Sequence, residues 1–186
     1  MCIRDRYGDE LDGVIFLGTG NQPKAVVDSG LKLAHIAKLV RGERYRSELL
    51  NTIMFGAYNK RIKDNRTAND WLTKDTKIVD EYLSDPKCSY KFTANAYIGF
   101  LNVIKYDIDK KNIAKTPDKL PVLFASGLED PVGDYGKGVK KAFKMYTKYV
   151  DNVELYLYED DRHELHSETD REDIFSDLYE WIEENV

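Results

Sequence analysis

Apolar residues change their spacing twice along this chain. LDGVIFLG, residues 11–18, is a short run of branched and aromatic side chains ended by Gly18-Thr19-Gly20, which predicts a buried strand. Asn21-Gln22-Pro23 then opens a helix, with Pro23 near its first turn. Val26, Val27, Leu31, Ala34, Ala37 and Val40 recur at helical spacing, and Gly42 can end the helix. Asp28, Lys32 and His35 fall on the polar side, so His35 reads as a solvated surface residue. From Glu43 to about Pro117, helical pieces such as SELLNTIMFGAY and TKIVDEYL alternate with polar loops, and no strand of good length stands out. AYIGFLNVI, residues 96–104, is the most apolar helix of this stretch.

The last third alternates again. LPVLFASG, residues 120–127, predicts a strand. Val139, Ala142, Phe143, Tyr146 and Val150 make one helix face, and VELYLY, residues 153–158, is the next strand, expected to be buried. Thr169 with Glu172 three residues on has the form of a capping box, and Ile174, Phe175, Leu178, Trp181 and Ile182 stripe the closing helix. Strand–helix–strand–helix predicts two neighbouring parallel strands joined by a right-handed crossover, hence an α/β fold.

Bulk properties narrow the function classes. The chain has 186 residues, enough for one domain with a proper core. A net charge of −5 and the lack of any basic run argue against general nucleic-acid binding. No apolar run has membrane-spanning length, and no secretory segment is recognisable. The two cysteines, Cys2 and Cys88, form no C-x-x-C and no disulfide framework, which fits a reducing cytoplasm. Cys88, in the helical stretch, reads as structural. The first residues, MCIRDR, resemble the translation of a sequencing-library transposon end. Residues 1–6 are therefore set aside as a non-native scar, with Cys2 not native, and the chain is expected to be the C-terminal part of a larger protein.

Chemistry-bearing residues gather where open parallel sheets place functional groups, at the carboxyl ends of strands. Asp130 follows one strand in SGLEDPVGD, and His163 follows the next in EDDRHELH. A carboxylate on one ring nitrogen would fix the imidazole tautomer and leave the other nitrogen free to take a proton. Other readings fail on spacing. His163 and His166 are three apart, not the four of H-E-x-x-H, and no third metal ligand stands out. GDYGKG lacks the leading glycine and the Ser/Thr of a phosphate loop, and Pro23 stands where a dinucleotide fingerprint needs glycine. No cofactor is implied. No G-x-S-x-G nucleophile elbow occurs, and none of Ser29, Ser47, Ser84, Ser89 and Ser126 sits in a strand–turn–helix.

LPVLFASGLEDPVGDYGKGV and YEDDRHELHSETDREDIFSDLYEWI resemble the closing part of α/β-hydrolases. The branch they resemble is the serine aminopeptidase-like lysophospholipases and monoacylglycerol lipases. FTANAYIGFL and NDWLTKDTKIVDEYLSDPKC look like that branch's helical cap. The resemblance implies residues 7–42 and 118–186 as a partial hydrolase core, carrying parallel strands six to eight with flanking helices, and 43–117 as the cap. It implies Asp130 as the acid and His163 as the base of a serine triad, with the nucleophilic serine and an oxyanion segment lying upstream. The implied substrate is a small-molecule lipid ester, and the chain by itself is expected to be inactive. An aminopeptidase-like hydrolase and a non-catalytic binding module on the same fold stay open.

Overall fold

The computed structural model describes residues 3–63, 65–88 and 90–186. Met1 and Cys2 of the expected scar, and Ser89 among the serines, lie outside the described residues. A short helical turn, α1 (Ile3–Arg6), opens the described chain and buries Arg4. Its guanidinium contacts Asp5 and lies 5.3 Å from the centre of the Tyr146 ring.

β1 (Val14–Leu17) leads into α2 (Lys24–Arg41), which begins after Pro23 and stops at Gly42. Five further elements follow before the next strand. They are α3 (Glu48–Phe55), a 3-10 turn at Tyr58–Arg61, α4 (Thr76–Ser84), α5 (Ala94–Asp107) and α6 (Lys110–Ile113). Side chains start these helices where the sequence supplies oxygen acceptors: Ser47 caps α3, Asp75 caps α4 and Thr93 caps α5. Each such cap contributes on the order of 1 kcal/mol. β2 (Val122–Gly127), α7 (Lys137–Tyr146), β3 (Val153–Tyr158) and α8 (Arg171–Asn185) complete the chain.

The three strands form one parallel sheet in the order β1-β2-β3. Phe16, Phe124 and Leu155 stand in register across it. Alternation along β2 splits the core into two faces. Val122 and Phe124 pack with Phe16 against Val139, Ala142 and Tyr146 of α7, while Ala125 packs against Leu165 and Ile174 on the α8 side. The rings of Phe16, Phe124 and Tyr146 lie 5.0 to 5.6 Å apart. Burying a side chain of this kind contributes roughly 1.5–3 kcal/mol.

The structure departs from the expected pattern at α2, β3 and α8, where Phe175 and Ile182 of the expected stripe are exposed. α2 buries Val27, Leu31 and Ala34 against α5 and α3, but Val26 and Val40 are exposed, because the packed stripe is narrower than the apolar one. β3 is half-buried along its whole length, since it pairs only with β2. α8 starts at Arg171 after Asp170, and no side chain caps it, so Thr169 and Glu172 form no capping box. The Asp170 carboxylate points instead toward Lys74. No helix among the described residues is long and apolar enough to cross a membrane.

Candidate active site

The site forms where three strand ends converge. Gly127 and Tyr158 close β2 and β3 in register, so the two following loops leave the sheet at the same level. Backbone bonds lace those loops together: Leu128 N–H donates to the Tyr158 carbonyl at 2.8 Å and Glu129 N–H to the Asp161 carbonyl at 2.8 Å. The approach is so close that a Cβ on Gly127 would lie 2.0 Å from the Asp161 carbonyl oxygen.

Asp130 is completely buried in the loop after β2. Its Oδ1 accepts from the Val132 N–H at 2.8 Å, which leaves Oδ2 to the histidine loop. Oδ2 lies 3.2 Å from His163 Nδ1. The loop is held by Tyr135 N–H on the Asp130 carbonyl, and Asp134 and Tyr135 both adopt positive φ, 48° and 54°. Such left-handed residues cost energy and persist only where surroundings fix them. Arg61 supplies part of that fixing, its guanidinium 3.7 Å from the centre of the Tyr135 ring. GDYGKG is thus the turn that shapes the Asp130 loop.

His163 is held from the helical segment as well as from the sheet. Its N–H and that of Glu164 donate to the carbonyls of Trp71 and Leu72, at 3.4 and 2.7 Å. The Trp71 ring lies 5.2 Å from the imidazole and meets Tyr58 and Phe55 beyond it. Burial and the Asp130 charge both push the Tyr58 hydroxyl above its ordinary pKa. The sequence alone does not mark Trp71 and Tyr58 as site residues. Nothing local links them to His163, and only the cap-like NDWL stretch pointed toward the region.

Beside this pair lies a second polar cluster. Glu168 is fully buried, and its carboxylate accepts from Arg162 N–H (2.7 Å) and Lys74 N–H (2.9 Å); Thr73 Oγ1 lies 3.0 Å from it and shares its single proton with the Ser167 carbonyl at 2.8 Å. Burial raises the Glu168 pKa, and those three groups oppose the rise. Arg162 Nη1 donates to the carbonyls of Asp70 and Thr73. The carboxylates of Asp161, Glu168 and Asp170 lie within 4.8 Å of one another, a spacing that could hold a cation. Lys74 Nζ already sits 2.5 Å from Asp161 Oδ1 and 3.7 Å from Asp170 Oδ1, so the trio carries its own ammonium.

An open groove of about 780 Å³ runs from the site between α2, α3 and α5. Gly18, Val26, Ile53, Tyr58, Phe100 and His163 are among its walls. Asp107 is the sole carboxylate lining it among the described residues. Of the other sequence candidates, His35 and His166 are exposed. Ser126 is buried in β2, Ser47 caps α3, and Cys88 is a half-buried free thiol. Among the described residues no hydroxyl or thiol bonds to the second ring nitrogen of His163.

The family model described as "Hydrolase_4: Serine aminopeptidase, S33" matches residues 2–170. Solved structures similar to the chain include a highly thermostable carboxyl esterase from Bacillus coagulans in complex with glycerol (TM-score 0.87, 23% identity, 98% of this chain and 59% of that one). A lipase in open form gives TM-score 0.82 at 27% identity, covering 98% and 60%. A soluble variant of monoglyceride lipase from Saccharomyces cerevisiae, in complex with a substrate analogue, gives 0.68 at 20%, covering 100% and 57%. The chain therefore spans about three fifths of the length of these structures. No curated protein matches it in sequence comparison.

Proposed function

The chain belongs to the serine aminopeptidase (S33) family of α/β-hydrolases, and from that premise we propose that it forms part of a serine hydrolase of carboxylic esters such as monoacylglycerols or lysophospholipids. In this reading Asp130 is the acid and His163 the base of the triad. The observation that carries it is the 3.2 Å contact between a fully buried Asp130 carboxylate and His163 Nδ1. With Asp130 on Nδ1, the imidazole keeps its proton there and presents Nε2 as a base. Nε2 takes the proton of an attacking serine hydroxyl and returns it to the leaving alkoxide, while Asp130 stabilises the imidazolium formed in between.

The serine itself is not assigned to any of the 186 residues, since no G-x-S-x-G occurs in them. Residues 43–117 act as the cap, and the groove beneath them takes the acyl chain. An apolar channel suits a hydrocarbon tail, which gains about 0.8 kcal/mol per buried methylene.

A peptidase reading needs a carboxylate to hold a free α-amine, and among the described residues Asp107 is the one that lines the groove. The deciding experiment is a panel of monoacylglycerol, lysophospholipid and aminoacyl substrates. It is run on a protein uniting this chain with a G-x-S-x-G segment, with His163→Ala and Asp130→Asn alongside. Ester turnover lost in both variants supports the proposal. Aminoacyl turnover alone moves it to peptidase, and no turnover with any substrate favours a binding module.

A further inference from the structure

Glu168 crosslinks two segments that are far apart in sequence and adjacent at His163. One is the histidine loop, held through Arg162 N–H; the other is the stretch Thr73–Lys74, held through a shared hydroxyl and an N–H. The carboxylate is completely buried, so water cannot replace a lost partner. Arg162 reinforces the same junction from the opposite direction, with its guanidinium on two carbonyls of residues 70 and 73. The peptide groups on both sides of His163 are thereby pinned. Arg162 N–H is on Glu168, and the N–H groups of His163 and Glu164 are on Trp71 and Leu72. What remains free is the imidazole's own rotation, and Trp71 backs the ring.

This bears directly on the acid–base pair. The Nδ1···Oδ2 distance of 3.2 Å stands at the long end of the hydrogen-bonding range, so a small drift of the histidine loop breaks the contact. Resting on the reading of His163 as the base, we propose that Glu168 is a positioning residue. By locking Thr73–Lys74 to the histidine loop, it holds the imidazole in reach of Asp130 and fixes the Nδ1–H tautomer. The helical segment that covers the groove is in this way also the brace of the base. Its stretch from Asp70 to Lys74 is a fixed part of the site rather than a free lid.

The test uses the 186-residue chain as it stands, labelled with ¹⁵N, and reads side-chain nitrogen shifts of its three histidines at mildly alkaline pH. Wild-type His163 is expected in the Nδ1–H tautomer. Glu168→Ala should redistribute it toward Nε2–H while His35 and His166 keep their spectra; a role confined to general stability would lower the melting temperature and leave the tautomer alone. Should Glu168→Ala not fold, the isosteric Glu168→Gln turns one acceptor oxygen into an amide that faces a backbone N–H, and should shift the tautomer part of the way. A folded Glu168→Ala chain, or a folded Glu168→Gln chain, with His163 unchanged in its Nδ1–H form overturns the positioning role and leaves the acid–base reading intact. Loss of the Nδ1–H form in Asp130→Ala is expected. Its persistence there, or its absence in the wild type, overturns the acid–base reading and the positioning role with it.

Discussion

Gly18, at the end of β1, stands directly against His163: a Cβ built on it would lie 2.5 Å from the histidine carbonyl oxygen and 2.9 Å from Nδ1. Its φ of +57° is a left-handed conformation that side chains resist. The first strand thus sets how deep the histidine loop can sit, although its own residues supply no acid or base.

Gly18→Ala should therefore disturb the site twice over. The backbone strain and the collision together should cost about 1–3 kcal/mol. Because the collision partner is a backbone carbonyl, relaxation must separate the histidine loop from Gly18, and the 3.2 Å contact with Asp130 has little slack to absorb the shift. The expected outcome is a lowered melting temperature together with a changed His163 nitrogen spectrum. A stable variant with an unaltered His163 spectrum would contradict it.

Trp71 makes a second prediction. Its ring joins the imidazole to Tyr58 and Phe55, and its carbonyl receives the His163 N–H. Trp71→Phe keeps the backbone bond and most of the apolar contact, and should cost less than about 1.5 kcal/mol. Trp71→Ala should cost more, up to about 3–5 kcal/mol if the site does not collapse. Urea titrations of the two variants give the comparison, and equal costs would argue that the ring does not support the loop.

How much of this was legible in the sequence follows from the range of each signal. β1, β2, β3, α7 and α8 announce themselves through local spacing, and β2 and β3 are consecutive strands, so the meeting of Asp130 and His163 could be anticipated from their loops alone. The Glu168 junction could not. Its partners Thr73 and Lys74 lie 95 and 94 positions away with no periodic pattern joining them. The Thr169–Glu172 spacing misled because Asp170 precedes the helix and turns to Lys74. On α2, the exposure of Val26 has a structural reason, since Val26 walls the groove; apolar spacing cannot distinguish a core face from a groove face.

The chain alone should not hydrolyse esters. No hydroxyl or thiol among the described residues reaches the second nitrogen of His163, and no nucleophile elbow stands in the sequence. Without an attacking atom, an acid–base pair leaves only residual rate. Turnover of a short-chain p-nitrophenyl ester by the pure chain is expected at the buffer background. Turnover above it, abolished in His163→Ala, would mean that a nucleophile lies within these residues.

Asp107 gives a stability prediction whose sign depends on pH. It lies at the end of α5, buried, and neither carboxylate oxygen has a hydrogen-bond partner among the described residues. Burial raises its pKa, with the nearby Arg4 charge opposing. The folded state therefore favours the protonated form. Its contribution to stability is fully present below the unfolded carboxyl's range, near pH 4, and is lost as pH rises through the higher folded value. Asp107→Asn removes that penalty while keeping the shape. At neutral pH the variant should be more stable by on the order of 1 kcal/mol, which for a chain of this size raises the melting temperature by about 2–4 °C. The gain should shrink steadily on acidification and vanish below about pH 4, where the wild-type carboxyl is itself neutral. Melting curves of both proteins across that range decide it, and a gain independent of pH would show that burial of the charge is not its source.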